Sequence, residues 1–207
     1  MELSMIFQPP SILQSLFPSL IWRIPNAGNK IFLTFDDGPD PEATPRILDL
    51  LEEHNAKATF FCLGGQVEKY PAIFDRIKNE GHAVGNHTYS HLSGWTTSNK
   101  KYFEDIERAD QIIGSKLFRP PYGRIRPSQI KVLKEKCKII MWDVMSGDYD
   151  ERQKPERILK RVQKRIRPGS VVVWHDKHHS YELLKTMLPF IIVNLKLDLE
   201  PLTFVNE

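Results

Sequence analysis

Several familiar signposts are missing from this 207-residue chain. It has only two cysteines, Cys62 and Cys137, both inside apolar runs (FFCLG and EKCKII). That rules out a disulfide-rich scaffold, and the lack of paired Cys spacing argues against a structural zinc finger. Each thiol reads as a small buried hydrophobe and leaves the compartment open. No apolar run approaches the ~20 residues needed to cross a bilayer, so no transmembrane segment is expected. There is no internal repeat, low-complexity tract or linker. Excess charge is missing too. The 29 basic and 26 acidic residues give a net charge of +3, too slight to argue for a nucleic-acid partner.

The N-terminal stretch MELSMIFQPPSILQSLFPSLIWRIP is apolar. It opens with Glu2, lacks a basic flank, is interrupted by Pro9, Pro10 and Pro18, and leads to no small-residue cleavage site. Residues 1–29 read as a segment packing on the main domain through a short amphipathic helix bearing Ile12, Leu13, Leu16 and Leu20. Loose association with a membrane surface is the other reading. The expected location is the cytoplasm or a membrane periphery rather than outside the cell.

What the chain does contain is one alternating pattern. Hydrophobic residues make up 41% and charged residues 27%, as in an ordinary globular domain. Strands are predicted at Lys30 to Phe35, Ala58 to Leu63, His82 to Asn86, Lys138 to Trp142 and Ser170 to Trp174, with a weak one around Leu202 to Val205. Between them lie amphipathic helices. One is capped by Asp40 and places Ile47, Leu48 and Leu51 on one face. Others run from Gln66 to Asn79, Ser98 to Gly114, Pro127 to Lys136, Pro155 to Ile166 and Tyr181 to Val193. The order β-α-β-α predicts an α/β fold around a parallel sheet or barrel. The clusters TFDDG, NHTYSH, FRPPYG, MWDVMSGDY and VVWHD all fall at or just after the C-terminal ends of strands, the edge where α/β folds collect ligands.

Each cluster has a chemical reading and a plainer one. Asp36 and Asp37 repel each other unless a cation or base sits beside them. On a strand they face opposite ways, so one can bind metal while the other faces substrate; an Asp-Gly turn capping amides is the alternative. His87 and His91, four apart, come to one side if the turn is helical. With a carboxylate they make a three-ligand set that leaves a position open for water. His175 titrates near neutrality and suits a proton donor. Pro120 and Pro121 remove two amide donors after Arg119, leaving the Tyr122 N–H as a rigid oxyanion donor. Asp143 and Asp148 are both placed to pair with Arg119 or with His175.

In order, TFDDGPD, HTYSH, RPPYG, WDVMSGDY and VVWHD resemble the five motifs of the polysaccharide deacetylase family (the NodB homology domain, carbohydrate esterase family 4), over roughly residues 30 to 195. The resemblance implies a distorted (β/α) barrel of about seven parallel strands, with residues 30–207 as the catalytic domain. It implies one divalent metal, usually zinc, with cobalt or nickel as substitutes, on Asp37, His87 and His91. Asp36 would be the general base, oriented by Arg119. The Tyr122 N–H would serve the oxyanion, and His175, tuned by Asp148, would be the general acid. Two departures, Tyr149 and Trp174 where the family has Trp and an aliphatic residue, place those side chains with Pro121, Tyr122 and Trp95 around the substrate, Trp95 either stacking on a sugar ring or anchoring its loop. The implied reaction removes N-acetyl groups from amino sugars of peptidoglycan, a chitin-like oligomer or a surface glycan. An O-acetyl esterase, a small-amide hydrolase and a non-catalytic glycan-binding module are the alternatives. No oligomeric state is assigned.

Overall fold

The structure is a computed structural model and describes residues 7–203. A short helix α1 (Ser11–Leu16) precedes strand β1 (Leu20–Ile21). Then follow β2 (Lys30–Asp36), α2 (Ala43–Glu53), β3 (Thr59–Cys62), α3 (Gly64–Lys69), α4 (Pro71–Asn79), β4 (Ala83–Asn86) and α5 (Asn99–Ile113). The second half runs β5 (Leu117–Phe118), a 3₁₀ turn (Pro121–Gly123), α6 (Pro127–Leu133), β6 (Lys138–Ile140) and β7 (Val144–Met145). It ends with α7 (Pro155–Arg165), β8 (Val171–His175), α8 (His178–Pro189), a π-type turn (Phe190–Asn194) and β9 (Asp198–Leu199).

Eight strands lie side by side in the order β1-β6-β5-β4-β3-β2-β8-β7, with every pair parallel, and β9 adds to the start of β2. The edges, β1 and β7, are not paired with each other. Met141 to Asp143 cross from β6 to β7 instead: the Met141 N–H donates to Ile21 O and the Asp143 N–H to Val171 O. The expected distorted barrel is present, as a half-barrel with an open seam. Its strand count exceeds the expected seven because β1, β5, β7 and β9 are two-residue pieces, too short to show a period in sequence.

Strand alternation sorts the side chains. Ile31, Leu33 and Phe35 of β2 and Val172 and Trp174 of β8 pack with Ile47, Leu48, Leu51, Leu184 and Leu188 under the helices. Phe32, Val171 and Phe61 fill the opposite face. The β2–β8 register pairs Phe35 with Trp174 and Asp36 with His175. Asp36 and His175 therefore share the inner face, and Trp174 is turned away from it. Trp174 is fully buried in the outer core, so the expectation that it walls a substrate pocket is wrong: period-2 alternation forbids it once His175 faces inward.

Four further expectations change. The helix expected from Gln66 to Asn79 is two helices, because Pro71 excludes its predecessor from helical geometry and Tyr70 sits at φ −130° and ψ 58°. Asp40 does bind the first free amides, those of Glu42 and Ala43 at 2.9 and 2.7 Å, although the helix starts two residues later than Pro41. At the N-terminus, Leu20 belongs to a strand, and Ile12 and Leu16 are 71% and 68% exposed; Leu13 and Phe17 make the packing contacts. Near the C-terminus Leu202 is buried with its N–H on Thr59 Oγ1, and Asp198–Leu199 is the strand. The rest of the strand expected there, Phe204 and Val205, lies outside the described residues.

Removing Trp174 leaves a large hole in a packed layer, so Trp174→Ala should cost about 3–5 kcal/mol in urea unfolding. Trp95→Ala, at a half-exposed site, should shift the midpoint little. A Trp174→Ala protein of unchanged stability would show that this side chain is not core.

Candidate active site

The site grows from the ends of β2, β4, β5 and β8. Arg119 leaves β5 and turns inward, where it is almost fully buried. Its Nη1 donates to Asp36 Oδ1 at 2.7 Å and to Thr34 Oγ1 at 2.6 Å, its Nη2 to Met141 O at 2.9 Å, and its Nε to Ile140 O at 3.3 Å. The guanidinium also covers the Phe61 ring at 4.1 Å. Burial disfavours its charge, and Asp36 favours it. Such a cation is tolerated inside a protein only when its donors are met in this way. Its carboxylate partner is thereby fixed in one rotamer at the cavity floor.

Asp37 leaves the strand direction. Its φ of 79° is left-handed, a conformation Asp adopts more readily than most residues. Gly38 follows because a side chain there would strike Asp176 Oδ2, whose own N–H holds Asp36 O at 2.9 Å. Asp37 Oδ1 stands 3.2 Å from His91 Nε2 and 3.6 Å from His87 Nε2. One potential ligand atom from each of the three residues lies within 4.8 Å of the others. Burial alone would raise the Asp37 carboxyl, but His91, His87 and His175 outweigh it and hold the group well below the carboxylate range. Burial pushes His87 down to about 4, which keeps the ring neutral as a ligand must be.

The other ring nitrogens are occupied. His87 Nδ1 meets Arg119 O at 2.8 Å, and His91 Nδ1 meets the Tyr122 hydroxyl at 3.1 Å. Arg119 O can only accept, so His87 donates from Nδ1 and its Nε2 keeps a lone pair facing Asp37, the usual arrangement around a metal ligand. Asp37 Oδ1 is buried with no hydrogen bond among the described residues. These donors fit a divalent ion. The turn that joins them is not helical as expected: Thr88 and His91 have φ of 67° and 58°. Asp105 of α5 holds it by accepting from the N–H groups of Tyr89 and Ser90, both at 2.9 Å. Asp105 had no sequence signal, being a helix residue 14 positions beyond His91.

His175 Nδ1 donates to Asp148 Oδ1 at 2.8 Å, and its backbone N–H donates to Asp148 Oδ2 at 2.7 Å. Ser146 and Ser180 donate to the same carboxylate. Burial works against the charged ring, yet Asp148, with Asp37 and Asp36, raises His175 to about 9. Burial would likewise raise Asp148, but its bonds with His175 and Ser180 bring it down. Asp143 takes neither expected partner and binds Arg167 and Ser170.

Asp36, Asp37, His87, His91, Arg119, Tyr122, Tyr149 and His175 line one cavity of about 640 Å³. Pro120 lines it, whereas Pro121, expected at the substrate, is buried in the turn behind. Tyr122 is left-handed at φ 60°, and none of the described carbonyls accepts its N–H. Tyr149 meets the His175 ring edge-on at 5.5 Å. Trp95 is not a wall of this cavity. Its Nε1 donates to Ile125 O at 3.3 Å, and its ring and that of Tyr122 each lie 5.5 Å from the Arg124 guanidinium, forming a half-exposed ledge beside the opening. Trp142, Met145, Arg124 and Lys177 also line the cavity and were not singled out in the sequence, although Trp142 and Met145 belong to the WDVMSGDY motif.

The family described as polysaccharide deacetylase has a sequence model that matches residues 23–137. The chain belongs to the polysaccharide deacetylase family. A peptidoglycan-N-acetylglucosamine deacetylase of Bacillus cereus is 42% identical over 154 residues, 71% of this chain and 56% of that protein. The chain thus spans a little over half of that relative's length. Among solved structures, the Bc1960 peptidoglycan N-acetylglucosamine deacetylase, in complex with 4-naphthalen-1-yl-N-oxidanyl-benzamide, has a TM-score of 0.84 at 34% identity, covering 94% of this chain and 95% of the other. The polysaccharide deacetylase fold also includes BA3943, a carbohydrate esterase family 4 pseudoenzyme from Bacillus anthracis, at TM-score 0.77 and 31% identity, over 89% and 66% of the two chains.

Titration with Zn²⁺ should load about one ion per chain, a capacity that Asp37→Ala abolishes. Tyr122→Phe, which removes the hydroxyl on His91 Nδ1, should weaken binding about 10- to 100-fold. Full zinc affinity in Asp37→Ala would place the ion elsewhere.

Proposed function

We propose that this protein is a zinc-dependent hydrolase that removes N-acetyl groups from N-acetylglucosamine units of a glycan such as peptidoglycan. The observation that carries the reading is the pairing of Asp36 with His175 across β2 and β8, directly beside the three-residue ligand set. The names of the relatives support the substrate class. On Asp37, His87 and His91, a divalent ion would supply Lewis-acid polarisation and make water a better nucleophile.

The chain's own groups supply the rest. Asp36, held by Arg119, accepts a proton from the attacking water as the water oxygen bonds to the acetyl carbon. The Tyr122 N–H faces the oxygen that gains charge in the tetrahedral intermediate. As the carbon–nitrogen bond breaks, His175 delivers its proton to the amine, and acetate leaves. Trp142 and Met145 give the cavity apolar walls against which a methyl group fits. An amine is a poor leaving group unless protonated. An acid kept charged up to about pH 9 therefore favours amide over ester hydrolysis, the second enzymatic reading.

N-acetylglucosamine oligomers and peptidoglycan fragments should release acetate, and Asp36→Asn should lower kcat about 10²- to 10⁴-fold while leaving zinc bound. Absence of acetate release from every acetylated glycan tried would favour a binding module.

The pH profile gives a second check. His175 is raised in the folded protein, so its acid form is present below about pH 9 and lost as pH rises through that value. The alkaline limb of kcat/KM should fall near pH 9. In Asp148→Asn it should move down toward the ordinary histidine range, about 6.5. An unmoved limb would remove Asp148 from its proposed role.

A further inference from the structure

Charge is unevenly distributed in this chain. Residues 154–167 (KPERILKRVQKRIR) hold seven of the 29 basic residues and one of the 26 acidic ones, so this segment is +6 and the remainder −3. Helix α7 buries Ile158 and Val162. Lys154, Arg157, Lys160 and Lys164 are exposed. The flanking Arg152 and Arg167 pair with Asp150 and Asp143, but none of those four has an acidic partner among the described residues. Like charges recur at i,i+4 (Arg157 and Arg161, Lys160 and Lys164, Arg161 and Arg165). Such pairs destabilise a helix where Glu would stabilise it, and burial together with Arg157 and Arg165 lowers the proton affinity of Arg161. These like-charge pairs do not stabilise the helix.

The second feature lies alongside. The Arg161 guanidinium covers the Phe7 ring at 3.6 Å, and Arg23 donates to Pro168 O at 2.6 Å, just past α7. The segment bearing α1 is therefore fastened to α7 at one end and to the following turn at the other. Between these anchors α1 presents Ile12 and Leu16, both more than two-thirds exposed. We propose that α7 and α1 together form a docking surface for an anionic lipid bilayer. The lysine and arginine heads would meet lipid phosphates, and the apolar tips would enter the headgroup region. A soluble polyanion accounts for the charge but leaves Ile12 and Leu16 without a role.

The test is co-sedimentation of the full chain with vesicles of about one part phosphatidylglycerol to two of phosphatidylcholine, against phosphatidylcholine alone, at about 0.1 M salt. Binding is expected only to the anionic vesicles, falling as salt rises. Replacing Lys154, Arg157, Lys160 and Lys164 by Gln should weaken it at least about a hundredfold, at roughly fivefold per charge. Ile12→Ser with Leu16→Ser should weaken it while preserving the salt dependence. Circular dichroism melts establish that both variants remain folded. Equal sedimentation with neutral vesicles, no binding to anionic ones, or wild-type binding by the Gln variant would overturn the proposal. So would soluble polyphosphate binding as tight as vesicle binding and indifferent to Ile12 and Leu16.

Discussion

The Arg119 guanidinium ties the two halves of the site together. Its head spans the barrel interior from Asp36 and Thr34 on β2 to the carbonyls of Ile140 and Met141, and its own carbonyl receives His87. One residue thus positions both the carboxylate proposed for proton transfer and an imidazole proposed for metal. Removing a partner from such a buried pair costs about 3–5 kcal/mol, because the remaining charge is stranded. Fold and chemistry here rest on the same bonds. The division of labour between adjacent carboxylates follows: Asp36 is committed to Arg119, and the left-handed backbone at Asp37 turns its neighbour toward the histidines.

Much of the site could be read from the chain because polar clusters at strand ends break the hydrophobic pattern. Asp36, Asp37, His87, His91, Arg119, Tyr122, Tyr149 and His175 all reach one cavity. Features set by packing were not readable. The resemblance assigns Trp174 to the pocket as a departure from an aliphatic residue, yet strand alternation places it in the outer core. The choice between Asp143 and Asp148 depended on register, which composition does not reveal; Asp148 lies against His175, and Asp143 meets Arg167. Asp105 braces the histidine turn from a helix. The break at Pro71 was visible, but the apolar periodicity on either side concealed it.

A small net charge also hid something. The value of +3 averages a strongly basic helix over an otherwise mildly acidic chain. The half-barrel makes room for this: its seam is bridged by three residues, and α7 returns the chain from β7 to β8 beside it. Family membership alone does not decide catalysis, since the same fold serves a pseudoenzyme. In this chain the proposed base, acid and ligand set are all in place.

The most direct measurement is a crystal structure of the protein soaked with zinc, with the ion located by anomalous scattering. The account predicts one ion at about 2.0–2.2 Å from Asp37, His87 and His91, with Asp36 still bound to Arg119. An ion ligated by Asp36, or one seated away from those three residues, would contradict it.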